Sequence, residues 1–356
     1  MRSSISRRQL LGSATSGCLA LAAERVVGAQ SATRPPRPTA ASERSVKAPV
    51  PIEVNARPIA SFDPRDHSRV RFGALQYRSG LVLTSSFGGF GGLSAIRLLD
   101  AKGERFVALS DRGSWFTGRI VYSGREMTAL ADVEATPILG PDGRPVAARG
   151  WFDTESMALD GSTVYVGIER VNQVLRFDFS QGSTRARGEV VPLPPAAREL
   201  PFNQGLEALV VVPKGQPLAG TLIAISERGL DPQGNLIAFL IGGPTPGQFS
   251  IRRSNNFDIS DAVLLASGDL LVLERKFSWL SGVDIRIRRI ALKLIVRGGL
   301  VDGPSIFEAD FGHEIDNMEG IDAHVAEDGK TVLTMVSDDN FSPVQRTLIL
   351  QFTLAE

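Results

Sequence analysis

Thr154-Glu155-Ser156-Met157-Ala158-Leu159-Asp160-Gly161-Ser162-Thr163-Val164-Tyr165-Val166-Gly167-Ile168-Glu169-Arg170 contains the unit from which most of the chain is built. An acid opens an apolar run, a Gly-containing turn follows, and a second apolar run, Thr163–Ile168, ends in an acid and an Arg. Short apolar runs bounded by Gly, Asp, Asn and Pro are strand signals. The pattern recurs at Leu93-Ser94-Ala95 leading to Leu109-Ser110-Asp111-Arg112, and at Leu206-Glu207-Ala208 leading to Ser226-Glu227-Arg228. It returns at Ser260-Asp261-Ala262 leading to Leu273-Glu274-Arg275, and at Met318-Glu319-Gly320 leading to Val336-Ser337-Asp338-Asp339. The openings at 94, 155, 207, 261 and 319 are 61, 52, 54 and 58 residues apart. A period of about 50 to 60 residues holding about four strands is that of a propeller blade.

The reading that follows is an all-β propeller. No window after residue 52 carries a long amphipathic helix, so the helices that a parallel βαβ sheet needs between its strands are missing. Strand counting gives five blades, or six if residues 52–85 build most of a blade. The last copy holds only about three strands, ending in Arg346–Leu354. The extended segment Arg69–Ser85 is placed to pair with that C-terminal strand and close the ring.

The composition agrees with a globular chain: 356 residues, 43% apolar and 22% charged, with 39 basic residues against 39 acidic. Zero net charge argues against a nucleic-acid binder, which normally shows a basic excess. The N-terminus, Met1-Arg-Ser-Ser-Ile-Ser-Arg-Arg-Gln-Leu-Leu11, places Arg7-Arg8 before a mildly apolar stretch. Residues 1–29 therefore read as a signal peptide of twin-arginine type, implying the twin-arginine export machinery as a partner and a periplasmic or secreted protein. The stretch is too short and too polar for a stable membrane span. Residues 30–51 read as a flexible Pro/Ala-rich spacer and 52–356 as a single propeller domain. The one Cys, Cys18, lies in the signal segment, so the mature chain has neither disulfide nor thiol nucleophile.

In a propeller the innermost strands line the central channel, so a residue recurring at one blade position recurs around the axis. Glu155, Glu207, Asp261 and Glu319 then form a partial ring, with Ser94 in the fifth place. Like charges held together must take up protons or a cation. Their hard oxygens suit a divalent cation, Ca²⁺ or Mg²⁺, rather than a soft metal. The alternative is that each acid caps a turn within its own blade. Glu155, Glu207 and Glu319 are also the candidate acid/base residues, together with His324, which flanks the last opening. Arg112, Arg170, Arg228 and Arg275 follow the second acid of each copy. They either clamp an anionic substrate or pair with neighbouring blades.

Segments such as Gly91-Gly92-Leu93-Ser94-Ala95, Asp153-Thr154-Glu155-Ser156-Met157, Gly205-Leu206-Glu207-Ala208-Leu209, Ser226-Glu227-Arg228-Gly229 and Asn317-Met318-Glu319-Gly320-Ile321 resemble a bacterial family labelled "esterase-like activity of phytase". The resemblance spans about residues 70–354. It implies an exported propeller, distantly similar to the calcium-dependent propeller phytases, which hydrolyse phosphomonoesters. The Asp-x-Asp-Asp-Pro motif of those phytases is missing from this sequence. The expected function is metal-assisted hydrolysis of a small anionic phosphoester or a carboxylic ester. The competing readings are a non-catalytic binding or scaffold propeller and a quinone-dependent dehydrogenase.

Overall fold

A computed structural model of the chain describes residues 46–180, 184–201, 204–278 and 282–355. The signal segment and most of the spacer lie outside these residues. Five sheets, antiparallel except where Leu300–Val301 joins Gly247–Ile251 in parallel, are arranged as the five blades of a propeller. Their innermost strands are Leu93–Leu98, Thr154–Asp160, Leu206–Val211, Asp258–Leu264 and Asn317–Val325, in blades I to V. Each of these strands neighbours the next, and the fifth neighbours the first. Blade II shows the local logic. Thr154–Asp160 and Thr163–Ile168 pair across a two-residue turn, in which Gly161 adopts φ 59°, a left-handed conformation that Gly takes without a Cβ penalty.

Blade V is built from both ends of the described chain. Its strands run Asn317–Val325, Thr331–Asp338, Thr347–Leu354, Leu75–Thr84 and Asn55–Pro58 from the axis outward. The central pairing joins Thr347 to Leu83 and Leu354 to Leu75. Residues 52–85 thus complete the fifth blade, not a sixth. The N-terminal segment also reaches blade I, because Val50–Pro51, read as the end of the spacer, pairs with Ala135 and Glu134.

Apolar side chains fill the space between blades. A group of aromatic residues including Phe62, Phe72, Phe307 and Phe352 packs edge-to-face between blades IV and V, with ring centroids 4.8 Å apart for Phe62 and Phe72. At one point the inner strands of blades V and I come too close for a side chain between them. A Cβ on Gly320 would lie 2.9 Å from the Ala95 Cα, which fixes Gly at this position.

One ion pair crosses the axis. Arg97 of blade I donates through Nη1 to Asp261 Oδ2 (2.9 Å) and through Nη2 to Asp261 Oδ1 (3.0 Å) in blade IV. The same guanidinium donates to the backbone oxygens of Ile321 (2.9 Å) in blade V and Met157 in blade II. Both side chains are buried. This cluster closes the centre of the ring, so a pocket at one end has a floor.

Two outcomes follow from this architecture. Deleting residues 346–356 strips the partner from Leu75–Thr84 and leaves an apolar sheet edge; the truncated protein should aggregate or melt far below the parent in thermal scans. Asp261→Asn leaves a buried guanidinium uncompensated and should cost about 3–5 kcal/mol in urea unfolding, whereas Arg97→Met with Asp261→Leu should recover part of that loss.

Candidate functional site

The five inner strands share a defect. Each contains one extra residue relative to its partner strand, and the extra residues are Ser94, Glu155, Glu207, Ser260 and Glu319. Such a bulge bends the strand and re-aims a side chain. On the second strand of each blade, the position just past the bulge is Asp111, Glu169, Glu227, Arg275 and Asp338. These two rows face each other at one mouth of the channel. A pocket of about 320 Å³ there is lined by Asp111, Asp153, Glu155, Glu169, Glu207, Glu227, Glu319 and Asp338, with Arg275 and Asn340.

The register corrects one expectation. Asp261 is one residue past the bulge and turns to the axis, where it binds Arg97; Ser260 occupies the position held elsewhere by Glu. The same one-residue offset puts Arg275 where other blades carry an acid. Glu274 is instead buried in its own blade, accepting from Arg286 Nε (2.7 Å) and Arg288 Nη2 (2.6 Å).

Within the pocket, Glu169, Glu207 and Glu227 each present an oxygen within 4.8 Å of the others, and all three are buried. Oxygens sharing one Ca²⁺ at 2.3–2.6 Å lie no more than about 5 Å apart, so this trio fits a hard divalent ion. The Gly205 N–H donates to Glu169 Oε1 (2.8 Å) and orients it. Arg275 binds Glu227 Oε1 (3.2 Å) and Glu319 Oε1 (2.9 Å), and donates to Asn317 Oδ1 (2.6 Å).

One guanidinium does not balance eight carboxylates. Burial, reinforced by Glu319 and Asp153, raises Asp111 to about 7 even though Arg112 opposes the shift. Burial also raises Glu169 to about 7, against the Gly205 hydrogen bond and with Glu227 and Asp153 adding to it. Glu155, Glu207 and Asp338 are pushed well above the usual carboxylate range by burial and then by the neighbouring acids. Groups in this range exchange protons at neutral pH and release them to a cation.

Glu155, Glu207 and Glu319 are therefore brought together, along with Arg275. The other three Arg residues do not line the pocket and meet other partners. Arg170 donates to Asp153 Oδ2 (2.9 Å), Arg228 to Asp258 Oδ2 (2.9 Å through Nε), and Arg112 stacks 3.0 Å over the Phe341 ring. His324 lies near the far end of the strand Asn317–Val325, which carries Glu319 near its start. Five extended residues carry it about 16 Å along the strand, away from this pocket. The acids Asp111, Glu169, Glu227 and Asp338 were visible in the sequence as the first halves of the acid–Arg pairs or of Asp338-Asp339. Asp153 and Asn340 carried no comparable signal.

A second cavity of about 770 Å³ adjoins the acid pocket, sharing Glu227, Arg275 and Asn340 with it. Arg228, Lys276 and Arg346 line it with Phe277, Val283, Phe311, Ile315 and Val344. Each of these three cations already holds a carboxylate: Asp258, Asp284 and Glu314 respectively.

Comparison with known proteins follows the same line. The profile of the family described as "Phytase-like: Esterase-like activity of phytase" matches residues 88–341, and the chain belongs to that family. No curated protein matches it. Among solved structures, an endo-arabinase from Bacteroides thetaiotaomicron VPI-5482 is 13% identical, with a TM-score of 0.43 and 75% of this chain and 95% of that chain covered. Glutaminyl cyclase of Myxococcus xanthus is 10% identical, with a TM-score of 0.38 over 75% and 92% of the two chains. The PQQ-bound aldose sugar dehydrogenase of Streptomyces coelicolor is 11% identical, with a TM-score of 0.37 over 85% and 98%.

The raised carboxylates set the sign of the pH dependence. Between the unfolded carboxylate range near 4 and about 7, the folded protein holds more protons than the unfolded chain. Their contribution is fully present below that range and lost as pH rises through 7, by up to about 1.4 kcal/mol per pH unit for each proton. Asp63, held below the usual range chiefly by Arg65, titrates outside this window. Chelated protein should therefore lose melting temperature from pH 5 to 8, and Glu155→Gln should flatten the curve.

Proposed function

We propose, on the premise that the chain belongs to the phytase-like family, that the acid-walled pocket is the active site of an exported, cation-dependent ester hydrolase. The convergence of Glu169, Glu207 and Glu227 oxygens within 4.8 Å carries this reading. Those three residues would hold the divalent cation, and Ca²⁺ suits their hard, all-oxygen donor set. When bound, such an ion polarises an ester or phosphoryl oxygen and lowers the pKa of a water molecule.

The remaining work falls to the protein's own groups. Arg275, shared between Glu227 and Glu319, presents guanidinium N–H groups to an anionic oxygen in the pocket. Glu155, half-buried among Glu319, Asp111 and Glu169, is suited to take a proton from water and return it to the leaving oxygen. The Arg97–Asp261 floor denies bulk water a second entrance and keeps the local dielectric low. The adjoining 770 Å³ cavity is large enough for a small-molecule group of the substrate. The substrate class is a small phosphoester or carboxylic ester. Export through the twin-arginine route, read from Arg7-Arg8, completes the proposal and places the enzyme outside the cytoplasm, where millimolar Ca²⁺ sites of modest affinity can fill.

Purified mature protein should hydrolyse p-nitrophenyl phosphate or p-nitrophenyl acetate with Ca²⁺ present and lose that activity on chelation. Glu207→Gln and Glu227→Gln should each reduce kcat/KM by about 10²-fold or more. Turnover unchanged by chelation and by both substitutions would overturn the hydrolase reading. A protein that Ca²⁺ stabilises but that hydrolyses neither ester would point to a binding propeller whose cation is structural.

A further inference from the structure

At the opposite end of the ring lies a separate cavity of about 330 Å³, reached by Arg78, Lys102, Tyr122, Arg125, His324 and Gln351. Three of its lining residues each carry a buried polar atom with no hydrogen-bond partner within the protein: Arg78 Nε, His324 Nδ1 and Gln351 Oε1. A lone unsatisfied atom is a common local cost of packing, about 1–3 kcal/mol. Three among the lining residues of one cavity, from two cationic or titratable side chains and one amide, call for a common explanation.

The backbone directs these groups. Arg78 is the extra residue in the ladder that closes the ring, where Gln351 pairs with Ser79 and Phe352 with Tyr77. That bulge swings Arg78 out of the regular alternation. Gln351 is wholly buried, and its neighbours fix its orientation. The Tyr122 hydroxyl donates to Gly103 O (2.9 Å), so it accepts from Gln351 Nε2 (2.8 Å). Gln351 Nε2 also donates to Thr334 Oγ1 (3.0 Å), which leaves Oε1 as an acceptor without a donor. His324 lies flat against Gly103, where a Cβ would come within 2.5 Å of its ring.

The charges are unequal in their pairing. Arg125 holds Asp328 at 2.8 Å, and exposed Glu327 and half-buried Glu104 line the outer wall with exposed Lys102. Arg78 makes one hydrogen bond, from Nη1 to Thr353 Oγ1 (3.3 Å), and among the described residues no carboxylate lies within ion-pair distance of it. Burial and the nearby Arg125 hold its pKa down, and burial with Arg78 does the same to His324, so the imidazole is neutral near pH 7. A neutral ring can offer its Nδ1 as donor or acceptor.

We propose that this cavity is a second ligand site, taking a small oxyanion that also carries a hydroxyl group. The anionic oxygens answer the Arg78 guanidinium, with Lys102 at the rim. The hydroxyl donates to Gln351 Oε1, and His324 Nδ1 takes whichever role remains. Hydrogen phosphate or a hydroxycarboxylate meets these demands, whereas sulfate, with no hydroxyl, leaves Gln351 unanswered. Arg78 and Gln351 belong to the two ring-closing strands, and Tyr122 and Lys102 to blade I, so such a ligand ties the closure of the ring together. The site shares no lining residue with the acid pocket and stands whether or not that pocket hydrolyses esters.

The test uses the mature chain, chelated so that no cation can recruit anions to the acid pocket. Thermal scans near neutral pH compare millimolar inorganic phosphate with sulfate at matched ionic strength, and calorimetric titration with phosphate gives the Kd. Phosphate should raise the melting temperature by a few degrees and sulfate distinctly less, by mass action on the folded state. Arg78→Met should abolish the difference, and His324→Asn, a milder change should Arg78→Met fail to fold, should weaken phosphate about tenfold. Glu207→Gln should leave it intact. Equal stabilisation by the two anions would mean general exclusion from the protein surface and overturn the site. A phosphate response that survives both Arg78→Met and His324→Asn, or disappears in Glu207→Gln, would place the anion elsewhere and overturn it too.

Discussion

The ring holds its geometry because one guanidinium reaches across the axis. Arg97 leaves blade I, meets the Asp261 carboxylate of blade IV with two hydrogen bonds, and donates to carbonyls of blades II and V. Four of the five inner strands are thereby tied to one buried planar group, whose fork geometry tolerates little displacement. Serine hydroxyls add lateral ties between neighbours, from Ser156 to Leu206 O (2.7 Å) and from Ser260 to Met318 O (3.0 Å). With the axis filled in this way, the inner strands stay in contact, and the bulges above the plug open towards one mouth.

The chemistry of that mouth is a consequence of crowding. A residue at one blade position meets its counterparts around the axis, so a Glu repeated on three bulges becomes a cluster that no single blade contains. Facing it, the second row supplies four more acids and, in blade IV, Arg275. This single exception has large leverage, since Glu227 and Glu319 on either side converge on it. Repetition creates the negative field, and the break in repetition gives the field a direction.

Much of this was legible from sequence, and the failures have a common cause. The apolar runs, their Gly turns and the period of the openings identify blades, because half-buried strands must alternate and must turn. The short last copy and the extended segment before the first copy identify the closing pair for the same reason. Blade IV shows where the reading fails. Ser260-Asp261 and Glu274-Arg275 look like Thr154-Glu155 and Glu169-Arg170, yet their register is one residue different. A one-residue slip reverses every side chain, and composition carries no trace of it. His324 illustrates the complementary limit: five residues from Glu319 is near in sequence, but in an extended strand it is most of the depth of the ring.

The shared fifth blade also sets a timetable for the nascent chain. Leu83 and its ladder partner Thr347 are 264 residues apart in the numbering. At about 5–20 residues per second, a ribosome needs roughly 13 to 50 s to pass from one to the other. Throughout that interval Leu75–Thr84 has Asn55–Pro58 on one side and no partner on the other, although its Leu75, Leu81, Val82 and Leu83 are buried in the finished fold. Blades I to IV can each pair internally as they emerge, but the long-range ladder must wait, and its loop-closure entropy falls due last. The synthesis order therefore concentrates the chain's exposure to mispairing on its first long strand, and the cell must shield that strand until the final one arrives.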